Sequence, residues 1–345
     1  MKAAGYDVHL VVADGKGDAL KEKVHIVDAG LVKAGRLARM IYGTRQVFRK
    51  ALALEGDIYH LHDPELLPVA VKLKALGKRV IFDSHEDFPA DIMSKPYLGK
   101  AARILVSTGF SVYERRVCKK LDYIISATPA IKNKFNAIGC SSIDINNYPL
   151  SEELADLLPW DADRDTVCYI GAMTSIRGVP QLVDAMQEVR TPSRLALVGR
   201  FTEAKTGEIC KSNKGWHKVE EHGFLDRNAV RSIMSRSFAG LVTFLPAPNH
   251  VDAQPNKMFE YMSAGIPVIG SHFPLWKEII EGNNCGICVD PEMPASIAEA
   301  ISYLAENQQL AKQMGANGRQ AVLQKYNWDS EALKLIDLYE RILAK

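Results

Sequence analysis

No apolar run in this 345-residue chain approaches the roughly 20 residues that a membrane-spanning helix needs. The opening MKAAGYDVHLVVAD has neither an apolar h-region nor a small-residue cleavage site, so no secretory signal is expected there and the default location is the cytoplasm. Cysteine is scarce, with six residues scattered at positions 118, 140, 168, 210, 285 and 288, which argues against a disulfide framework. Cys285-Gly-Ile-Cys288 has CxxC spacing, but it runs into an apolar strand pattern and no second pair completes a zinc site, so packing is the expected role. Solenoid repeats and low-complexity tracts are absent. Classical dinucleotide and P-loop fingerprints are absent too: Gly15-Lys-Gly17 has neither the spacing nor a following helix signal. Asp161-Ala-Asp163 has the acid-x-acid form of some cation sites, but its surroundings offer no convergent ligands, and no metal is expected there. With a pI near 8.1 and no recognition motif, nucleic acid is not an expected partner.

Charge is present but unevenly placed. Residues 1–150 carry 23 Lys/Arg against 16 Asp/Glu, whereas residues 151–345 carry 20 against 25. Such a split suggests that the first half meets something anionic. Two segments concentrate the basic residues. Residues 31–52 include Lys33, Arg36, Arg39, Arg45, Arg49 and Lys50 with no acid, interleaved with apolar residues at near-helical spacing. Residues 95–120 add seven more around the single Glu114. Basic amphipathic helices of this kind suit an anionic lipid surface, although a core-facing helix with a solvated basic face has the same pattern.

Short apolar runs alternate with helical stretches throughout, the pattern of parallel sheets covered by helices. Candidate strands are Val8–Val12, Ile58–Leu61, Val80–Asp83, Ile124–Ala127 and Ile143–Asn146, then Val167–Ile170, Leu195–Val198, Gly240–Phe244, Val268–Gly270 and Ile287–Val289. The acidic stretch 151–165 between the two groups reads as a linker. The fold class expected is therefore α/β, with two doubly wound Rossmann-like domains facing across a cleft: residues 1–150, then 166–327, with a final helix over 328–345.

The richest stretch runs from Asp252 to Asp290. Gln254-Pro255 leads into a short helix carrying Lys257 on its first turn and Glu260 one turn further in; Gly265 ends it, and Pro267–Gly270 reads as a buried strand. A helix N-terminus offers unpaired N–H groups and the positive end of a dipole, so anionic oxygens bind there readily. A carboxylate one turn on can accept hydrogen bonds from the vicinal hydroxyls of a ribose. An ordinary amphipathic helix with Glu260 solvated on its outer face fits the same residues, and the pattern alone leaves both readings open.

This block resembles the nucleotide-sugar signature of retaining glycosyltransferases with the GT-B fold, family 4 (group 1). Glu260 and Ala264-Gly265-Ile266-Pro267-Val268 match that signature, while Asp252 stands where the first Glu usually is. The loop Gly171-Ala-Met-Thr-Ser-Ile-Arg177-Gly178 is similar to the family's pyrophosphate loop, with Ala172 replacing a basic residue common there. The resemblance implies donor contacts from Gly171, Arg177, Gly178, Arg200, Phe224, Lys257 and Glu260, with Asp252 near the sugar. His60-Leu-His62-Asp63-Pro64 matches a family sequence in which a His contacts the transferred sugar. His62 is accordingly a catalytic candidate with Asp252 and Glu260, and His60 is expected on the opposite face of its strand in a structural role. His85 and Glu86 are candidates for the acceptor side, with a polar loop the plain alternative. Asp63 is a possible helix cap.

One part of the family pattern is missing. Lys2–Val12 resembles the end of the family's first helix running into its second strand, so the first strand is expected to be absent and to leave a seam or an exposed edge. The resemblance implies a retaining transferase that moves a sugar from a nucleotide diphosphate to a hydroxyl of a glycan or lipid-linked oligosaccharide, as in bacterial surface polysaccharide (O-antigen, capsule or lipopolysaccharide) assembly. No enzymic nucleophile and no metal cofactor are expected, and the basic first half points to the inner membrane face. A nucleotide-sugar epimerase of the same fold and a non-catalytic assembly subunit are the alternatives.

Overall fold

The computed structural model describes all residues except 33, 34, 36–38, 96, 97, 151–159, 161–163 and 345, and the side chain of Arg39. The chain divides into two compact units, Met1–Asn146 with Glu331–Lys345, and Asn147–Ser330. No described helix is long and apolar enough to cross a membrane.

The first unit holds two sheets. β1 (His9–Val12), β2 (Ala19–Lys21) and β3 (Val24–Asp28) form one, in which β3 pairs parallel with β1 and antiparallel with β2. After α1 (Thr44–Ala53), a second sheet is built from β4 (Ile58–His62), β5 (Arg79–Ser84), β6 (Tyr123–Ser126) and β7 (Ser142–Asp144), all parallel and in that order. Its crossovers are α2 (Leu67–Ala75), the pair α3 (Phe88–Met93) and α4 (Lys100–Cys118), and α5 (Pro129–Ala137). No strand pairing joins the two sheets among the described residues, so a seam lies between them. The basic segment 31–52 is helical over less of its length than its pattern suggests. Gly30 takes a left-handed φ of 86° and Leu31, Val32 and Gly35 are in no helix; among the described residues of the segment, helical backbone is found from a π turn at Arg39–Gly43 onward. Glycine at 30 and 35 supplies the reason, since it weakens helix propagation.

The second unit contains one six-stranded parallel sheet. Its strands are β8 (Thr166–Ile170), β9 (Arg194–Val198), β10 (Val219–Gly223), β11 (Ser237–Val242), β12 (Val268–Ser271) and β13 (Gly286–Val289). Their spatial order, β10-β9-β8-β11-β12-β13, is that of a doubly wound nucleotide-binding sheet, with a reversal between β8 and β11. α6 (Val179–Glu188), α7 (Ala204–Ser212), α8 (Arg227–Ser235), α9 (Asn256–Ser263), α10 (Pro274–Ile280), α11 (Pro294–Glu306) and α12 (Gln308–Gln324) cover it. Because side chains alternate along a strand, Val167 and Tyr169 enter one core cluster and Cys168 the other. Both faces are therefore dry, which is why β8, β11 and β12 read as unbroken apolar or small runs. The last helix, α13 (Trp328–Leu343), carries Tyr339, which stacks edge-on against Tyr6 in the first unit. Most of the expected linker 151–165, including the Asp161–Asp163 pair, lies outside the described residues.

Candidate functional site

Ligands of a doubly wound sheet bind beyond the carboxyl ends of the strands, where the strand order reverses. Here that point is flanked by the loop after β8, Gly171–Gly178, and the loop after β11, Thr243–Pro255. Backbone and side-chain bonds hold the two loops in register. Leu245 donates its N–H to Ile176 O at 3.0 Å, Tyr169 O–H donates to Ala172 O at 2.8 Å, and Ile170 N–H donates to the Tyr261 hydroxyl at 2.9 Å. Trp276 Nε1 ties the second loop down by donating to Ala253 O at 2.7 Å. Gly199 makes the close approach possible: its φ is +135°, and a Cβ there would fall 2.0 Å from Gly171 O.

Two cations converge on this loop pair. Lys257 sits in the first turn of α9, and its Nζ lies 3.8 Å from the centre of the Tyr169 ring. The same Nζ is 3.1 Å from where a Cβ on Gly171 would project, and Arg177 NH1 is 4.0 Å from that point. Arg177 spans to Ala172 O at 3.4 Å and lies over the Phe244 ring. The buried Lys257 ammonium has no hydrogen-bond acceptor. Burial, and then the Arg177 charge, pull its pKa down to about 7, with Glu260 only partly opposing them. Thr174 Oγ1, Thr243 Oγ1 and Gln254 Oε1, in the same two loops, are buried without partners as well. Buried donors and like charges left in this state are costly; an anionic group against Gly171 would offset both terms. Neither α9 nor α6 has a side-chain cap hydrogen bond at its N-terminus. Glu260 and Asp252 are both exposed, Glu260 one turn beyond Lys257 on α9.

At the ends of β9 and β10 an open hollow is lined by Gly199, Arg200, Phe201, Lys211, Glu221 and Gly223. Arg200 lies 5.7 Å from the centre of the Phe224 ring, which is 76% exposed. A flat, solvent-facing ring beside a guanidinium is a stacking platform. Gly199 lines this hollow and touches Gly171, so the hollow adjoins the cation pair.

The histidines belong to the first unit. His60 and His62 stack at 4.6 Å, 16° from parallel, and both face Asp83 Oδ2 at 3.3 Å. This corrects the expectation that His60 points away from His62: residues two apart on a strand share a face. His85 joins them, its Nε2 at 3.0 Å from His62 Nδ1. Burial lowers the His60 imidazole pKa in spite of Asp83, whereas contact with Asp83 raises that of the more exposed His62. Burial alone would raise the Asp83 carboxyl, but the facing imidazoles hold it well below the usual carboxylate range. Asp63 makes no capping hydrogen bond and takes a φ of 72°, which is uncommon outside glycine. Asp63, Glu65, His85, Glu86 and the buried Glu114 line a second hollow beside this cluster. Asp87 instead caps α3 and pairs with Lys134, a structural role.

The sequence pattern pointed to Arg177, Lys257, Arg200 and Phe224 but missed Thr174, Thr243, Gln254 and Tyr339. Each of these lies at a strand end, in a loop or on a helix face with no local motif to mark it. The cysteines carry no chemistry of this kind. All six are free, and burial pushes the Cys285 and Cys288 thiols up to about 12, keeping them protonated.

A doubly wound sheet with two cations at its switch point, one of them without a hydrogen-bond acceptor, has the form of a nucleotide-binding α/β protein. Comparison with known proteins narrows the class. The profile described as "Glycosyl transferases group 1" matches residues 151–321, and "Glycosyltransferase Family 4" matches residues 1–146. The chain belongs to the family 4, group 1 glycosyltransferases, whose GT-B fold comprises two Rossmann-like domains. It is 24% identical over 308 residues to an uncharacterized glycosyltransferase of Methanocaldococcus jannaschii, covering 82% of this chain and 75% of that one. It is also 24% identical over 359 residues to the phosphatidyl-myo-inositol mannosyltransferase of Mycobacterium leprae, covering 99% and 90%. Among solved structures, the sucrose-phosphate synthase of Thermosynechococcus elongatus superposes with a TM-score of 0.78 at 19% identity over 99% of this chain and 90% of that one. Anabaena HepE in complex with UDP-glucose gives 0.73 at 14% identity over 97% and 99%.

Proposed function

We propose that this glycosyltransferase takes a sugar from a nucleotide diphosphate donor and transfers it, with retention at the anomeric carbon, to a hydroxyl of a glycan or lipid-linked acceptor. The observation that carries the reading is the buried, partnerless Lys257 ammonium beside Arg177 at the sheet's switch point. A diphosphate supplies the missing negative charge, cradled by the Gly171–Gly178 loop. Glu260, one turn further along α9, receives the ribose hydroxyls, and Arg200 with Phe224 stacks the base. Asp252 and His62 are assigned to the transferred sugar, and His85 with Glu86 to the acceptor. As the donor bond breaks, charge grows on the leaving diphosphate, and preorganised donors aimed at that charge are the main help the reaction needs. Lys257, Arg177 and the α9 amides fill that role without a protein nucleophile or a metal at the diphosphate.

Two features favour an acceptor held at an anionic membrane surface, as in surface polysaccharide assembly. Ile41 and Tyr42 are 64% and 59% exposed just before the exposed Arg45, and Leu105 on α4 is 75% exposed. Basic residues next to exposed apolar ones suit such a surface. The test of the activity is product analysis by proton NMR, with the protein incubated with a nucleotide-sugar panel and a polyprenyl-linked glycan acceptor. A new glycosidic bond of the donor's anomeric configuration is expected. An inverted linkage, or an altered sugar released without acceptor, would overturn the reading.

A further inference from the structure

Glu221 and Lys211 stand side by side in the open hollow at the ends of β9 and β10. Glu221 comes from β10 and Lys211 from the last turn of α7, and Lys211 Nζ lies 2.7 Å from Glu221 Oε2. Both line the hollow together with Arg200 and Gly223. Strand alternation explains the placement. Glu220 turns to the other face of the sheet, where Arg194 and Arg236 hold it at 2.7 and 2.6 Å, and this leaves Glu221 facing α7. The Lys211 ammonium lies 5.9 and 5.7 Å from the centres of the Phe201 and Trp216 rings, which fix its stem on the α7 side.

The ion pair does not exhaust either group. An ammonium has three N–H donors and a carboxylate about four lone-pair sites, and the two side chains remain 51% and 33% accessible. An exposed pair of this kind adds little to stability. Side by side, the two groups present a hydrogen-bond donor next to a double acceptor. Among the nucleobases that pattern suits guanine, whose O6 accepts from an ammonium while the adjoining N1–H and N2–H2 donate together to one carboxylate. Adenine and cytosine offer one amine and one ring nitrogen, a single bond to each group. Uracil can use O4 and N3–H, but its O2 then faces the second carboxylate oxygen with no proton between them. The stacking surface is in place as well, since bases stack on aromatic rings and guanidinium planes while their edges are read by hydrogen bonds. Arg200, which lines the hollow, lies beside the exposed Phe224 ring. Gly199 lines the hollow and touches Gly171, so a nucleotide can run from the cation pair into it.

We infer that Glu221 and Lys211 select guanine, so that the donor is a guanosine diphosphate sugar. This rests on the donor site assigned above to Lys257 and Arg177. Calorimetric titration of the full chain with GDP, IDP, UDP and ADP tests it. IDP keeps O6 and N1–H but lacks the 2-amino group, so it isolates the second bond to the carboxylate. GDP should bind about twofold to tenfold more tightly than IDP, the worth of one hydrogen bond. Over UDP and ADP its advantage should be about fivefold to 150-fold, the range of a bidentate base contact. Glu221→Gln exchanges one acceptor oxygen for a donor at a solvent-facing position, and should bring GDP down to the level of IDP while UDP binds as before. Lys211→Met should weaken GDP and IDP alike, since both keep O6. Equal binding of GDP and IDP, tighter binding of UDP or ADP than of GDP, or a GDP preference unchanged in both variants would overturn the guanine assignment and leave the donor site standing. If no nucleoside diphosphate binds, the donor site falls and the guanine assignment with it.

Discussion

Replacing Lys257 with methionine should make the protein more stable and worse at binding a nucleotide diphosphate. The ammonium is buried without an acceptor, and its pKa falls from 10.5 to about 7. At 1.36 kcal/mol per unit the shift sets a ceiling of about 5 kcal/mol on the native-state cost of the charge below pH 7. Local relaxation and the high effective dielectric of real interiors reduce this to about 1–3 kcal/mol. Methionine keeps the unbranched stem over Tyr169 and removes only the charge. The wild-type native state binds fewer protons at this site than the unfolded chain between about pH 7 and the ordinary lysine value. Wild-type stability therefore rises through that window and the full cost is present below it; Lys257→Met should lose this rise. Binding moves the other way, because a charged donor to phosphate contributes about 1.5–3 kcal/mol, or roughly tenfold to 150-fold in affinity. Urea unfolding at pH 6 and pH 9 reads the first effect, and calorimetric titration with a nucleoside diphosphate the second. Equal or lower stability together with unchanged affinity would refute the argument.

Proton linkage should also show in the ligand itself. Because a diphosphate favours the charged form of Lys257, binding between pH 7 and 9 should take up a fraction of a proton, so calorimetric enthalpies should depend on the buffer's ionisation enthalpy; buffer-independent enthalpies would count against it. Gly199→Ala should destabilise the second unit by about 2–4 kcal/mol, since the new Cβ meets the Gly171 carbonyl on a backbone with positive φ; a thermal midpoint within a degree of wild type would contradict this. Removing the charges of Arg36, Arg39 and Arg45 should reduce binding to anionic vesicles by up to about a hundredfold at low salt, at about 1 kcal/mol per charge near the surface, and equal sedimentation of the variant with vesicles would remove the membrane proposal.

Much of the second unit was legible because its strands are buried on both faces. Val167–Ile170 and Val268–Gly270 are short apolar runs bounded by glycine or proline, and the structure extends each by a single residue. β2, β3 and β10 were not legible. Ala-Leu-Lys is too short to show a period, and His25 interrupts the apolar run of β3. In β10, Val-Glu-Glu-His-Gly lies on a sheet edge, where partial exposure permits polar residues. The same logic applies to the site. Arg177 stood out through its position in a glycine-bounded loop, and Lys257 through its position on the first turn of a helix. The meeting of His60 with Tyr339 joins residues 279 apart, which no local pattern encodes. The misplacement of His60 was of another kind, since the alternation of side chains along a strand already put it beside His62.

The most direct test of the account is the thermal midpoint of the full chain against UDP, GDP, ADP, CMP and their sugars, with and without EDTA. A ligand that binds only the native state raises the midpoint according to its affinity. The account predicts that one nucleoside diphosphate class stands out, that its shift survives EDTA, and that it shrinks in Arg177→Ala and Glu260→Ala while both variants keep the native fold by circular dichroism. No shift with any nucleotide, or an undiminished shift in both variants, would contradict the assignment of a donor site to the switch point of the second unit.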